Sequence, residues 1–147
     1  MKNSIHQVWQ LEHPVERVWH YLTDSELLAI WLMENDFQPF VGHTFQFRTK
    51  AKPKFNFDGN IYCRVLEVIP FKKLSYTWQG GPGKGSVTLD SVVTWTLKPL
   101  GHGTELILEH TGFRGLKNFG AYFFMNIGWR KKIRKRLVGL LIENNTL

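Results

Sequence analysis

Cysteine is almost missing from this chain: Cys63 is the only one in 147 residues. No internal disulfide can form, so a small secreted scaffold held by crosslinks is excluded and a reducing compartment is favoured. Long apolar runs are missing as well. Nowhere do about 18 apolar residues follow one another, and the opening "MKNSIHQVWQLEHP" has no apolar stretch leading to a small-residue cleavage site. The expectation is a cytoplasmic protein without a transmembrane segment.

Acids are missing from one place in particular. From Arg130 to Arg136, six of seven positions are Lys or Arg, and this run accounts for nearly all of the net charge of +7. A protein that grips phosphates over a broad face spreads its bases across several elements, so nucleic acid is not an expected partner. What abounds is bulk: six Trp and eleven Phe in a chain that is 43% hydrophobic. That is too apolar for disorder. A chain of this length buries about two thirds of its unfolded surface, so residues 1–147 are expected to form a single domain that stands without metal or crosslink.

The pattern then gives the elements. "SIHQVWQLEH" alternates as a strand, with Ile5, Gln7, Trp9 and Leu11 on one side. "HPVERVWHYL" predicts a helix with Pro14 in its first position and Val15, Val18, Trp19 and Leu22 on its buried face. "TDSELLAIWL" predicts a second short helix, with Thr23 and Glu26 at capping-box spacing and Leu27, Leu28 and Trp31 as its apolar side. From Gly42 to about Gly112 the texture is strands and turns. Phe45 and Phe47 share a face, as do Leu74, Tyr76 and Trp78, then Val93, Trp95 and Leu97, then Leu106, Leu108 and His110. A long helix follows from about Leu116 to Glu143, with Gly120 and Gly128 marking an irregular start or kink. Trp129, Ile133, Leu137, Leu140 and Leu141 recur at helical spacing straight through the basic run, which makes its charge the solvated face of that helix. An anionic membrane surface, an acidic protein partner or nucleic acid is the alternative use of residues 129–136, the last disfavoured because Trp129 belongs to the apolar stripe and not to an exposed basic face.

This order, with its landmarks, resembles the START-like (SRPBCC) superfamily, and more closely the bacterial branch related to the activator of the heat-shock protein 90 ATPase. The residues that carry the resemblance are "HPVERVWHYLTDSELLAIWL", "VGHTFQF", "VLEVIPFKKLSYTW", "GHGTELILEHTGF" and the "GW" opening the last helix. They span nearly the whole chain. The resemblance implies an α+β helix-grip fold: a curved antiparallel sheet of about six strands around a long C-terminal helix, with two short helices after the first strand. It implies no single activity, because the superfamily hosts lipid carriers, ring-closing aromatase/cyclase enzymes and co-chaperones.

A curved sheet this rich in rings is expected to leave a cavity between sheet and helix. Trp31, Phe45, Phe47, Tyr76, Trp78, Trp95, Leu106, Leu108 and His110 are the candidate lining on one side. Phe119, Tyr122, Phe123, Met125, Ile127 and Trp129 form the other wall, Met125 being able to adapt to irregular guests. His110 has two readings. It either orients a ligand hydroxyl or carbonyl, or fixes the strand end by bonding the loop at "HTGF"; satisfied core histidines are the commoner case. Tyr76 and Trp78 either fill space or offer their polar tips to a guest.

Enzyme signatures are thin. His13 and His20 lack a third ligand nearby and read as a solvent-facing pair. "GGPGKGS" joins two strands and lacks the Ser or Thr after its Lys that a phosphate loop needs, so it is a turn. Cys63 reads as a small buried residue. The expected function is binding of a small apolar, aromatic or lipid-like molecule, as a carrier or stress-related sensor, with neither metal nor cofactor and no catalysis. Access is expected under the last helix or by the loops at 80–85 and 112–120. The resemblance adds two alternatives: a chaperone-associated interaction module and a cyclase-like enzyme. The chain is expected to be a monomer or a homodimer paired through a sheet edge.

Overall fold

The computed structural model describes residues 3–83, 85–113 and 125–143. The first strand, β1 (Asn3–Leu11), leads into α1 (Val15–Thr23) and α2 (Ser25–Trp31). Six strands follow: β2 (Glu34–Asn35), β3 (Thr44–Arg48), β4 (Asn60–Ile69), β5 (Lys73–Gly80), β6 (Leu89–Leu100) and β7 (Gly103–Phe113). A π-helical segment (Gly128–Ile133) then runs into α3 (Arg134–Glu143). The seven strands form one antiparallel sheet in the order β1-β7-β6-β5-β4-β3-β2. About six strands were expected; the extra one is the two-residue β2, too short for any alternation to announce it.

Successive strands from β2 to β7 are neighbours, and β1 closes the far side against β7. The chain leaves one edge of the sheet and re-enters at the other, so α1 and α2 must cross its concave face. They bury Val15, Val18, Trp19, Tyr21, Leu22, Leu28 and Trp31 in doing so. This is the α+β helix-grip arrangement.

Two helix boundaries differ from the expectation. Pro14 is the residue before the helix, extended at ψ 158°, and Val15 is the first helical position. At α2 the cap is Asp24, whose carboxylate accepts from Leu27 N at 3.0 Å. Thr23 instead donates back to Trp19 O at 2.8 Å, because as the last residue of α1 its hydroxyl meets the preceding turn first.

The C-terminal element keeps the expected two faces. Trp129, Leu137 and Leu141 are buried, while Arg130, Lys131, Lys132, Arg134, Lys135 and Arg136 are all exposed. The π turn widens the helix where Trp129 enters the core. Ile127, expected on the inner wall, is 38% exposed and faces outward. Arg17 of α1 ties this element down: its Nη2 donates to Leu141 O at 3.0 Å, meeting a carbonyl of the last helical turn.

Candidate functional site

The concave face takes one side chain from every second position. β3 contributes Phe45 and Phe47, β5 contributes Leu74, Tyr76 and Trp78, β6 contributes Ser91, Val93, Trp95 and Leu97, and β7 contributes Leu106, Leu108 and His110, all buried. Trp31 arrives from the end of α2 and Trp129 from the π segment, both fully buried. Met125 is half-buried and packs against this core. Tyr122, Phe123 and Phe119 lie outside the described residues.

The rings meet edge to face around Trp95 and partly tilted around Trp78. Trp95 is the hub of one group, with centroids 5.5 Å from Trp9, 6.0 Å from Trp31 and 5.4 Å from Trp129. Trp78 is the hub of the other, 5.4 Å from both Phe47 and Trp129 and 5.5 Å from His110. Tyr76 and Phe45 join the second group to Phe37, which the loop after β2 delivers. Such contacts add about 0.5–1.5 kcal/mol per pair to the burial of the rings themselves.

His110 is the polar centre of this interior, and its hydrogen bonds fix its chemistry. The Trp129 indole can only donate, and its Nε1–H points at His110 Nδ1 at 3.1 Å. Nδ1 is therefore the acceptor and Nε2 carries the proton, which goes to Ser91 Oγ at 2.8 Å. Ser91 in turn donates to Trp78 O at 2.7 Å. Burial holds the imidazole neutral and pushes its pKa down to about 3. Both bonds suit the structural reading of His110 and not the ligand-orienting one, with Ser91 and Trp129 as its described partners where the sequence suggested the loop at "HTGF". Ser91 was missed, yet the alternation of β6 puts position 91 inward with Val93 and Trp95, and a small hydroxyl there was the available signal.

Gly112 lets β7 pass close to this serine. Its φ is +106°, and a Cβ would stand 2.7 Å from Asp90 O and 2.9 Å from Ser91 Cα. Only glycine tolerates both the angle and the approach.

Five tryptophans are buried to 1% exposure or less, and four of them place their indole N–H well. Trp9 donates to Gln7 Oε1 at 2.9 Å, Trp31 to Tyr21 O at 2.9 Å, Trp95 to Tyr76 Oη at 2.9 Å and Trp129 to His110. The fifth, Trp78, has no acceptor for Nε1 among the described residues. Tyr76 is also half-used: its oxygen accepts from Trp95, and no acceptor for its own proton occurs among the described residues. Burial pushes that phenol far above its ordinary pKa, so the proton stays on.

The remaining sequence candidates resolve simply. Cys63 is buried, and burial first, then Asp36, pushes its thiol up, which makes it inert. His20 is exposed as expected, but His13 is only 7% exposed. Its backbone carbonyl takes the Thr104 hydroxyl at 2.7 Å, which draws the α1 entrance against β7. Burial, then the Arg17 charge, lowers the His13 pKa. Among the described residues no cluster of His, Cys, Asp and Glu has the makings of a metal site. No described helix is long and apolar enough to cross a membrane. An open groove of about 470 Å³ runs along Gln10, Leu11, Glu12, Leu100, His102, Gly103 and Thr104. It lies at the opposite end of β7 from His110 and shares no residue with the ring-lined interior.

Residues 12–141 match the family described as activator of Hsp90 ATPase homolog 1-like protein. Among solved structures, protein MLL2253 from Mesorhizobium loti is 38% identical, with a TM-score of 0.84 over 96% of this chain and 98% of that one. Protein BH1534 of Bacillus halodurans is 28% identical, with a TM-score of 0.69 over 92% of this chain and 95% of that one. The Aha1 dimer from Colwellia psychrerythraea is 21% identical, with a TM-score of 0.69 over 93% of this chain and 92% of that one, and supports the fold. No curated protein matches the chain.

Proposed function

Given that this chain belongs to the activator of Hsp90 ATPase homolog 1-like family, within the START-like fold, we propose that it is a binding protein for a small, largely apolar molecule held in the interior between sheet and C-terminal helix. The observation that carries this reading is the Trp78 indole N–H, buried among rings and without a partner among the described residues, where four neighbouring tryptophans of equal burial are all satisfied. A core that merely fills space avoids this, because an unmet buried donor costs about 1–3 kcal/mol. A molecule seated beside Trp78 would offset that cost and gain from burying its own apolar surface against the rings. His110 sets the wall and does not act on the guest, since both of its nitrogens are engaged and it stays neutral.

The test is native mass spectrometry of the protein purified from its own host, followed by a thermal-shift screen of lipids and aromatic metabolites. A co-purified or stabilising guest that Trp78→Ala loses while still folded supports the reading, through linkage of binding to stability. A bare mass with no stabilising compound sinks it.

A second reading rests on a different observation: the six exposed bases of residues 130–136 have no ion pair among the described residues. They suit an acidic protein face, which such a patch would draw in by electrostatic steering. Reversing Lys131 and Lys135 to Glu should then abolish salt-sensitive association while leaving binding of interior guests intact.

A further inference from the structure

The polar groups of the interior are unequal in kind, and this narrows what the guest can be. Among the described residues, two groups of the β5 face are uncommitted, Trp78 Nε1–H and the Tyr76 hydroxyl proton, and both are donors. They stand two residues apart on the same face of β5. The acceptors nearby are already used. Trp129 occupies His110 Nδ1, His110 donates through Nε2 to Ser91, and Ser91 donates to the Trp78 carbonyl. A guest that brought a donor, such as an amine, would therefore meet donors and lose its own hydrogen bond to water.

Charge is limited in the same way. The buried polar side chains among the described residues are His13, Ser75, Ser91, Thr104 and His110, with no Lys or Arg. A carboxylate or phosphate placed beside Trp78 would lose its hydration without gaining a cation. We propose that the guest is an uncharged molecule that presents a carbonyl oxygen, of the ketone, quinone or ester class, to Trp78 Nε1–H, with the Tyr76 hydroxyl as the second donor. This rests on the interior binding reading and specifies its chemistry. A carbonyl fits because it accepts without needing to donate, and its two lone pairs can serve one or both donors.

The experiment uses the full chain and three pairs of probes that share a skeleton and differ in the carbonyl: fluorenone and fluorene, 2-acetylnaphthalene and 2-ethylnaphthalene, and 2-tridecanone and tridecane. Affinities come from quenching of the intrinsic tryptophan fluorescence, and native mass spectrometry reads any guest that co-purifies. The ketone of at least one pair is expected to bind about tenfold tighter than its hydrocarbon, the effect of one added hydrogen bond. That ratio should fall towards one in Trp78→Phe, or in Tyr76→Phe should Trp78→Phe not fold. With ¹³C-labelled ketone, the carbonyl stretch should shift to lower frequency on binding and recover in the variant.

A hydrocarbon that binds as tightly as its ketone overturns the inference and leaves the binding reading standing. So does a ratio that survives in both variants, or a co-purified guest without a carbonyl oxygen. Failure of all six probes together with a bare native mass removes the binding reading itself, and the inference with it.

Discussion

The two ends of the interior handle the same residue type differently. Around Trp95, three other tryptophans pack edge to face, and each indole N–H there has an acceptor: Gln7 for Trp9, a backbone carbonyl for Trp31, Tyr76 for Trp95 and His110 for Trp129. Around Trp78 the rings are just as well buried, yet its own N–H is unmet among the described residues. The first end is closed in the sense that every indole N–H has found a protein acceptor. The second is closed to solvent but not complete. That difference separates a structural core from a candidate site more sharply than burial or ring content, which are alike at both ends.

The largest effect should come from breaking the closed end. Trp95→Ala removes the hub of three ring contacts and leaves the Tyr76 oxygen without its donor, so a loss of about 3–5 kcal/mol is expected, measured by chemical denaturation. A loss below about 1 kcal/mol would mean that the cluster is loosely packed.

Next is the polar link between the two ends. The folded pKa of His110 lies near 3, below the ordinary value of about 6.5 in an unfolded chain. The unfolded state therefore takes up a proton first as the pH falls. This group's stabilisation is complete above about pH 6.5 and declines below it, by roughly 1.4 kcal/mol per unit until about pH 3. Between pH 6.5 and 4.5 the wild type should lose on the order of 2–3 kcal/mol through this group. His110→Gln should remove that share of the slope, leaving the part that His13 contributes in the same direction. Denaturation curves at pH 6.5, 5.5 and 4.5 for both proteins decide it. Parallel curves would place the acid sensitivity elsewhere.

Gly112→Ala acts on the same link from the backbone. The added methyl meets Asp90 O at 2.7 Å in a conformation that side chains rarely adopt, and a loss of about 1–3 kcal/mol is expected. It should be accompanied by a change in the His110 ring resonances, because Ser91 is the residue displaced. Loss of stability with unaltered resonances would separate the glycine from the network.

Much of this architecture was legible because alternation is a strong signal. The inward sets of β3, β5, β6 and β7 could be read from period two alone, since each strand has one buried face and a slip of one residue would reverse it. The two faces of the last helix were legible for the same kind of reason. What alternation could not give was partnership. Nothing in the spacing says that Trp129 finds His110, or that Ser91 relays the bond to Trp78, because these contacts join residues brought together only by the sheet and the closing helix. The cap of α2 passed to Asp24 because Thr23 was already committed to the turn before it. Phe37 was invisible as well, for it enters the core from a loop with no period. The unmet N–H of Trp78 is the extreme case: its sequence context is no different from that of Trp95, and only the set of acceptors among the described residues shows that one indole lacks one.

The smallest effect is also the most discriminating. Trp78→Phe and Trp95→Phe remove the same atoms from equally buried rings, so the lost packing should be similar. Their polar consequences have opposite signs. Trp95→Phe deletes a made hydrogen bond and leaves Tyr76 Oη unmet, whereas Trp78→Phe deletes a donor that had nothing to donate to, recovering part of the about 1–3 kcal/mol that such a group costs. In guest-free protein Trp78→Phe should therefore be milder than Trp95→Phe by about 1–2 kcal/mol. Its net change could fall to about 1 kcal/mol or less, because only the lost packing opposes the gain. With a stabilising guest present the order should narrow or reverse, since the wild-type N–H would then be paired and its removal would cost a bond. Equal losses for the two variants in the guest-free protein would mean that the Trp78 N–H is already satisfied, by ordered water for example, and that the two ends of the interior are the same after all.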